Sequence, residues 1–285
     1  MVTMPPTGTD DVLRVRIGRF TVAEHLARAV AAGHLIAHDD GTWEVSRKTR
    51  TTEADIWIRG EAPNPFPCDP LFFFLFGLAY GKSCVPQGCR SCFKVKIAPA
   101  NLRQLVAVRD VAKETGYPFK CGPELFVPYS TGLYAAFFYL DSLDHARMAF
   151  AELRRRVDAE PRLGPGVPML IKRGCTEYEI NCGPSDTYAF APPEVEAWLL
   201  ARLRRPAPPA KPLPRSASFA RWIQIAFQIG DETYLDFTGG RRLHPKVVTY
   251  DPIDRASPQA VEPADESAIA SAPALSDATE PKPNR

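Results

Sequence analysis

The chain has 285 residues, 45% of them hydrophobic and 24% charged, with a formal net charge of +2. That is length for one large domain or two small ones with a buried core, and the near-neutral balance by itself says nothing about partners. The longest apolar run, 71–80, is ten residues, about half of what a membrane-spanning helix needs, so no membrane association is expected.

In chain order, residues 1–66 read as an N-terminal helix plus strands. Thr21-Val-Ala-Glu24 is a capping-box pattern, which predicts a helix over 22–32 with Gly33 as its stop. Strands are expected at 42–46, after the Asp40-Gly41 turn, and at 54–59, where apolar and polar residues alternate. Segment 61–70 holds prolines at 63, 65, 67 and 70 and reads as an extended connector.

Residues 67–204 read as a cysteine-rich α+β domain. The run 71–80 fits a buried strand or a short buried helix, and periodicity does not decide. A strand is expected at 93–97, then an amphipathic helix over 102–115 closed by Gly116 and Pro118. A strand at 133–140, a helix at 143–158 and a strand at 169–171 form a βαβ or split βαβ signature. A third strand is expected at 178–180 and a helix at 193–204. Residues 205–217 form a proline-rich linker. Segments 222–229, 233–237 and 246–250 suggest a small β unit over 218–250. Residues 251–285 lack aromatics and are expected to be disordered. The fold class is α+β, built on a mixed sheet.

The N-terminus, Met1 to Asp11, has neither the basic nor the apolar region of a leader peptide, so a cytoplasmic location is expected. A reducing compartment disfavours a disulfide framework. The odd count of seven cysteines also leaves one unpaired under any such scheme. Metal binding, reactivity or burial remain.

Cys84-Val-Pro-Gln-Gly-Cys89-Arg-Ser-Cys92 places three cysteines within nine residues. Thiolates are soft ligands suited to Zn²⁺ or iron–sulfur clusters. A short loop closes over a metal at little entropic cost, and Gly88, just before Cys89, leaves space for a cluster sulfide. Cys121 and Cys182 each stand in a Cys-Gly-Pro tripeptide. They are the first and second choices for a fourth ligand, with Cys175 a weaker candidate and Cys68 just ahead of the loop. Structural zinc sites use paired knuckles and only one C-x2-C is present, so an iron–sulfur cluster is favoured over zinc.

The C-x4-C-x2-C…C spacing of Cys84, Cys89, Cys92 and Cys121 resembles that of plant-type ferredoxins. The resemblance covers those four cysteines and not the sequence around them, and it implies a [2Fe–2S] cluster and a redox partner protein. The loop is also somewhat similar to a radical S-adenosylmethionine motif, with a first gap one residue longer and Ser91 in place of an aromatic. That similarity implies a cluster enzyme.

Between residues 82 and 121, eight basic residues face two acidic ones, a local +6. This charge predicts weak binding of polyanions and supports the rival class, a zinc-stabilised nucleic-acid-binding module using Arg90, Lys94 and Lys96. Glu177 and Glu179, expected on one strand face, could with Asp186 serve as acid/base groups. The favoured reading is an iron–sulfur protein whose cluster serves electron transfer, sensing or structure.

Overall fold

The computed structural model describes residues 9–46, 56–62, 70–125, 132–204 and 214–244. The fold is α+β. Its centre is a five-stranded antiparallel sheet in the order β5-β7-β8-β6-β9. The strands are β5 (Ile58–Arg59), β6 (Phe93–Ile97), β7 (Phe119–Pro123), β8 (Tyr134–Leu140) and β9 (Met169–Arg173). Helix α4 (Leu102–Thr115) connects β6 to β7, and α5 (Leu143–Ala159) connects β8 to β9. The segment β6 to β9 is therefore a βαββαβ unit, with each strand–helix–strand pair split by an inserted strand. The expected split βαβ is present.

Local chemistry explains these elements. Asn101 accepts from Gln104 N at the start of α4, and Gly116 (φ +69°) closes it in the left-handed region. Ser142 accepts from His145 N at the start of α5. Both helices pack on one face of the sheet, against Val95, Ile97, Ala136 and Phe138. Residues of β8 are buried on both faces, because the opposite face is also covered.

A second core lies beside the first. It joins α1 (Thr9–Arg14), α2 (Val22–Ala31), the apolar run from Pro70 to Ala79 and α7 (Pro193–Arg202). The short hairpin β1 (Arg16–Ile17) and β2 (Phe20–Thr21) leads into α2, which carries the expected capping box between Thr21 and Glu24. Strands β3 (Leu35–Ala37), β4 (Trp43–Val45) and β10 (Leu203–Arg204) make a small sheet in which β10 runs parallel to β4. Residues 193–204 thus return to pack with the N-terminal segment. The apolar run is helical: α3 (Pro70–Phe74) continues into a π-helical turn, Leu75–Ala79.

Two expected strands are helices. Residues 178–180 lie in α6 (Thr176–Cys182), where Lys172 Nζ reaches Thr176 Oγ1 (2.8 Å) and Glu179 Oε2 (2.5 Å) and fixes the first turn. Segment 222–229 belongs to α8 (Arg215–Gln228), which buries Ser218, Trp222, Ile225 and Ala226. That spacing is one helical face, and the aromatic and β-branched residues after position 221 imitate a strand. Segment 233–237 is a 3-10 helix started by Asp231, which accepts from Thr233 N. The described part of the expected C-terminal β unit is therefore helical. It joins the main core through Trp222, Ala226 and Tyr234, and Trp222 Nε1 donates to Ile56 O at 2.6 Å. The expected strand at 246–250, most of the 205–217 linker, Cys68 and the 251–285 tail lie outside the described residues.

Candidate metal centre

The cysteine loop runs from the N-terminal core to the sheet face that α4 and α5 leave uncovered. Cys84 belongs to the N-terminal core, Cys89 to a small aromatic cluster with Phe76, Tyr178 and Tyr188, and Cys92 to the sheet face opposite α4 and α5. All three are 6–7% exposed. The loop is held along its length. Val85 N donates to Ala189 O, and Ala191 N donates to Val85 O. Gly174 N donates to Cys92 O (2.8 Å), which ties the loop's exit to the end of β9.

The strongest restraint comes from Glu196 on α7, itself 4% exposed. Its carboxylate accepts from Gln87 N (2.6 Å), Gly88 N (2.7 Å) and the Tyr80 hydroxyl (3.2 Å). Sequence reasoning missed Glu196. The signal was an acid beside Val195 on a helix face that also buries Leu199. Gly88 leaves no room for a sulfide: a Cβ there would lie 2.3 Å from Phe72 Cζ. The ring of Phe72 fills that space.

The second half of the site is α6. Cys175 stands at its N-cap, Cys182 at its last residue, and Tyr178 between them. The Tyr178 hydroxyl lies 3.6 Å from Cys89 Sγ. Cys182 Sγ donates to Lys82 O at 3.5 Å. Cys89, Cys92 and Cys175 lie within electrostatic reach of one another: a charge on Cys175 raises the thiol pKa of both loop cysteines, and Cys92 raises that of Cys89. Cys84 and Cys182 form a separate pair coupled in the same way. Seven residues of helix separate Cys175 from Cys182, a rise of roughly 10 Å, so the thiols gather at the two ends of α6.

Burial dominates the titration of these groups. It pushes the Cys84 and Cys89 thiols up to about 12 and raises those of Cys92 and Cys182. Lys94 opposes this effect at Cys89 and Cys92. Its ammonium lies 3.7 Å from Cys175 Sγ and is 4% exposed at the residue level. A buried ammonium amid three thiols favours their thiolate forms. Among the described residues, no three His, Cys, Asp or Glu side chains converge closely enough to hold a single metal ion.

Cys121 is elsewhere. It faces α4 in the main core, fully buried with Arg109 and Lys113 nearby. Its register partner on β8 is Ala136, which also pairs with Ile97 at the far end of β6. Two strands across and five residues along put it roughly 19 Å from Cys92, on the opposite sheet face. It does not join the loop cysteines. The two Cys-Gly-Pro tripeptides therefore differ in role. Gly122 lets residues 56–57 approach β7, where a Cβ would lie 3.2 Å from Trp57, whereas Gly183 (φ +84°) closes α6.

The local +6 is not a surface patch. Lys94, Lys96 and Arg109 are buried. Lys96 pairs with Glu124 (2.7 Å), Lys82 with Glu177 (3.3 Å) and Arg103 with Asp236. Lys120 lies over the Trp57 ring. Glu177 and Glu179 do not share a face, since one reaches Lys82 and the other Lys172. Among the described residues, no helix is long and apolar enough to cross a membrane. No protein-family model matches the chain, and neither a curated protein nor a solved structure is found to be similar to it.

Proposed function

We propose that the chain carries an iron–sulfur cluster ligated by Cys89, Cys92 and Cys175, with Cys84 or Cys182 as the fourth ligand, in an electron-transfer, sensing or structural role. The observation that carries this reading is geometric: the buried Lys94 ammonium lies 3.7 Å from Cys175 Sγ at the start of α6, and Cys89 Sγ lies 3.6 Å from the Tyr178 hydroxyl of the same helix, so thiols from two distant chain segments meet around one cation. Four thiolates around a cluster carry net negative charge, and a buried ammonium beside them offsets part of it. The chain has only one C-x2-C, without the paired knuckles of structural zinc sites, which favours iron–sulfur over zinc. The rival nucleic-acid reading loses support because Lys94 and Lys96 are buried.

The test is anaerobic purification followed by the visible spectrum and iron and acid-labile sulfide analysis. A brown protein is expected, with colour lost in Cys89→Ala, Cys92→Ala and Cys175→Ala and kept in Cys121→Ala. A colourless protein, with or without zinc, would sink the reading, as would loss of colour in Cys121→Ala alone.

A further inference from the structure

We propose that the cleft between α2 and the π-helical turn binds a phosphate-bearing organic ligand of about mononucleotide size. The cleft adjoins the Cys84–Cys182 end of the thiol set through residues 81–83, but the proposal does not depend on the metal reading. The cleft has a volume of about 750 Å³ and is lined in part by Arg19, Phe20, His25, Arg28, Gly77 and Gly81.

Three independent features point to a ligand. The first is charge. Arg19 and Arg28 are exposed, and neither has a carboxylate partner among the described residues. The Arg28 guanidinium lies 4.5 Å over the Phe20 ring, which meets His25 edge-on at 5.5 Å. Arg28 is thereby oriented by stacking while its donors stay available. Two such forks suit the oxygens of a phosphate, which they can grip in bidentate fashion.

The second feature is space. Gly77 lines the cleft, and a Cβ placed there would meet nothing within 4 Å. It sits inside the π-helical turn Leu75–Ala79, a rare geometry that concentrates at functional sites. The third is backbone strain at the rim. Gly81 (φ +53°) is followed by Lys82 (φ +59°), the one non-glycine residue with positive φ among the described residues. Such residues persist only where their surroundings over-determine them. At Lys82 the backbone is held by donation from its N to Phe76 O (2.8 Å) and by Cys182 Sγ, which donates to Lys82 O; at Gly81 the constraint is His25. It is 7% exposed and its Nε2 lies 2.9 Å from Ile17 O. Its ring leaves no room for a side chain at position 81, where a Cβ would approach to 2.5 Å.

The size of the cleft sets the ligand class. An inorganic anion would leave most of it empty, whereas roughly 300–1,000 Å³ is the range of small-molecule sites. Calorimetric titration of the full-length protein with AMP and with ribose 5-phosphate, against inorganic phosphate, tests the proposal. At least one organic phosphate should bind, and more tightly than inorganic phosphate. Arg19→Glu and Arg28→Glu should each weaken that binding at least tenfold. Gly77→Leu, which fills the cleft without changing charge, should do the same, with its melting curve checked against the wild type. Arg155→Glu, exposed on α5, should leave binding unchanged. The proposal is overturned if neither organic phosphate binds, if inorganic phosphate binds as tightly as the better of the two, or if binding survives both arginine substitutions.

Discussion

Replacing Glu196 should uncouple the cysteine loop from α7. In Glu196→Ala the amides of Gln87 and Gly88 lose their acceptor, and so does the Tyr80 hydroxyl. Hydrogen bonds to a charged group contribute about 1.5–3 kcal/mol each. The two amides are only partly buried, and water reaching them offsets some of the loss. Taking the lower end for each of the three gives about 4.5 kcal/mol, which that water access brings down to about 3–4 kcal/mol. For a protein of this size 1 kcal/mol shifts the melting midpoint by about 2–4 °C, so the midpoint should fall by roughly 6–16 °C. Glu196→Gln should cost about half as much, because its carbonyl oxygen still accepts one amide while its NH₂ opposes the other. The assay is thermal unfolding of the metal-free protein followed by circular dichroism, which keeps metal affinity out of the comparison. A shift of less than about 2 °C in Glu196→Ala would show that the loop is held by its other contacts and that the carboxylate is incidental.

Asp231 accepts from Leu102 N, the Tyr134 hydroxyl and Thr233. Asp231→Ala should cost about 3 kcal/mol and speed amide exchange across 215–237 without affecting exchange in β6. At Gly174 (φ +66°) an added Cβ would lie 2.9 Å from the Tyr178 ring. Gly174→Ala should therefore destabilise by about 1–3 kcal/mol and expose Cys175 to alkylation, and an unchanged alkylation rate would count against the packing described. Burial raises the Cys121 thiol to about 12, so the folded state keeps its proton while an unfolded thiol loses it near pH 9. Its contribution to stability is complete below about pH 9 and is lost as pH rises towards 12, by up to about 1.4 kcal/mol per pH unit. Denaturant midpoints measured from pH 8 to 10.5 should decline less steeply in Cys121→Ala than in the wild type, and parallel slopes would contradict this. In metal-free protein at neutral pH, iodoacetamide should label the partly exposed Cys175 and Cys182 before the buried Cys84, Cys89 and Cys121.

Most of the βαββαβ unit was legible because its signals are local; β7 was not, because Cys121-Gly122-Pro123 at its end reads as a turn. Capping residues, a terminal glycine and continuous apolar runs marked β6, α4, β8 and α5 to within a residue or two. The misreadings share a cause: short segments whose side chains suit two periods. Tyr178 and Ile180 alternate with acids as a strand would, yet α6 forms because Lys172 and the sharp turn at Gly174 start it. In α8 the helical face begins at Ser218, ahead of the residues that look like a strand. The site was half legible. Adjacent cysteines stand out in a sequence, but the partners of Cys89 and Cys92 depend on which strand lies beside β6. Cys121 matched a familiar spacing and was misplaced because register and sheet face cannot be read from spacing. Lys94 and Lys96 were expected on a polyanion-binding surface because Phe93–Ile97 alternates apolar and basic residues, and this sheet has no wet face there.

The split topology also sets an order of events. Cys89 and Cys92 precede β6 and Cys175 follows β9, and Phe93 meets Arg173 where those strands pair. The halves of the thiol set are therefore 83 residues apart in the chain. At about 5–20 residues per second of synthesis, the loop leaves the ribosome roughly 4–17 s before α6 exists. During that interval three thiols are present without α6, open to oxidation. β9 is the last strand of the five-stranded sheet to be made and leads directly into α6, so the thiols of the loop and of α6 meet only once that sheet has its full set of strands.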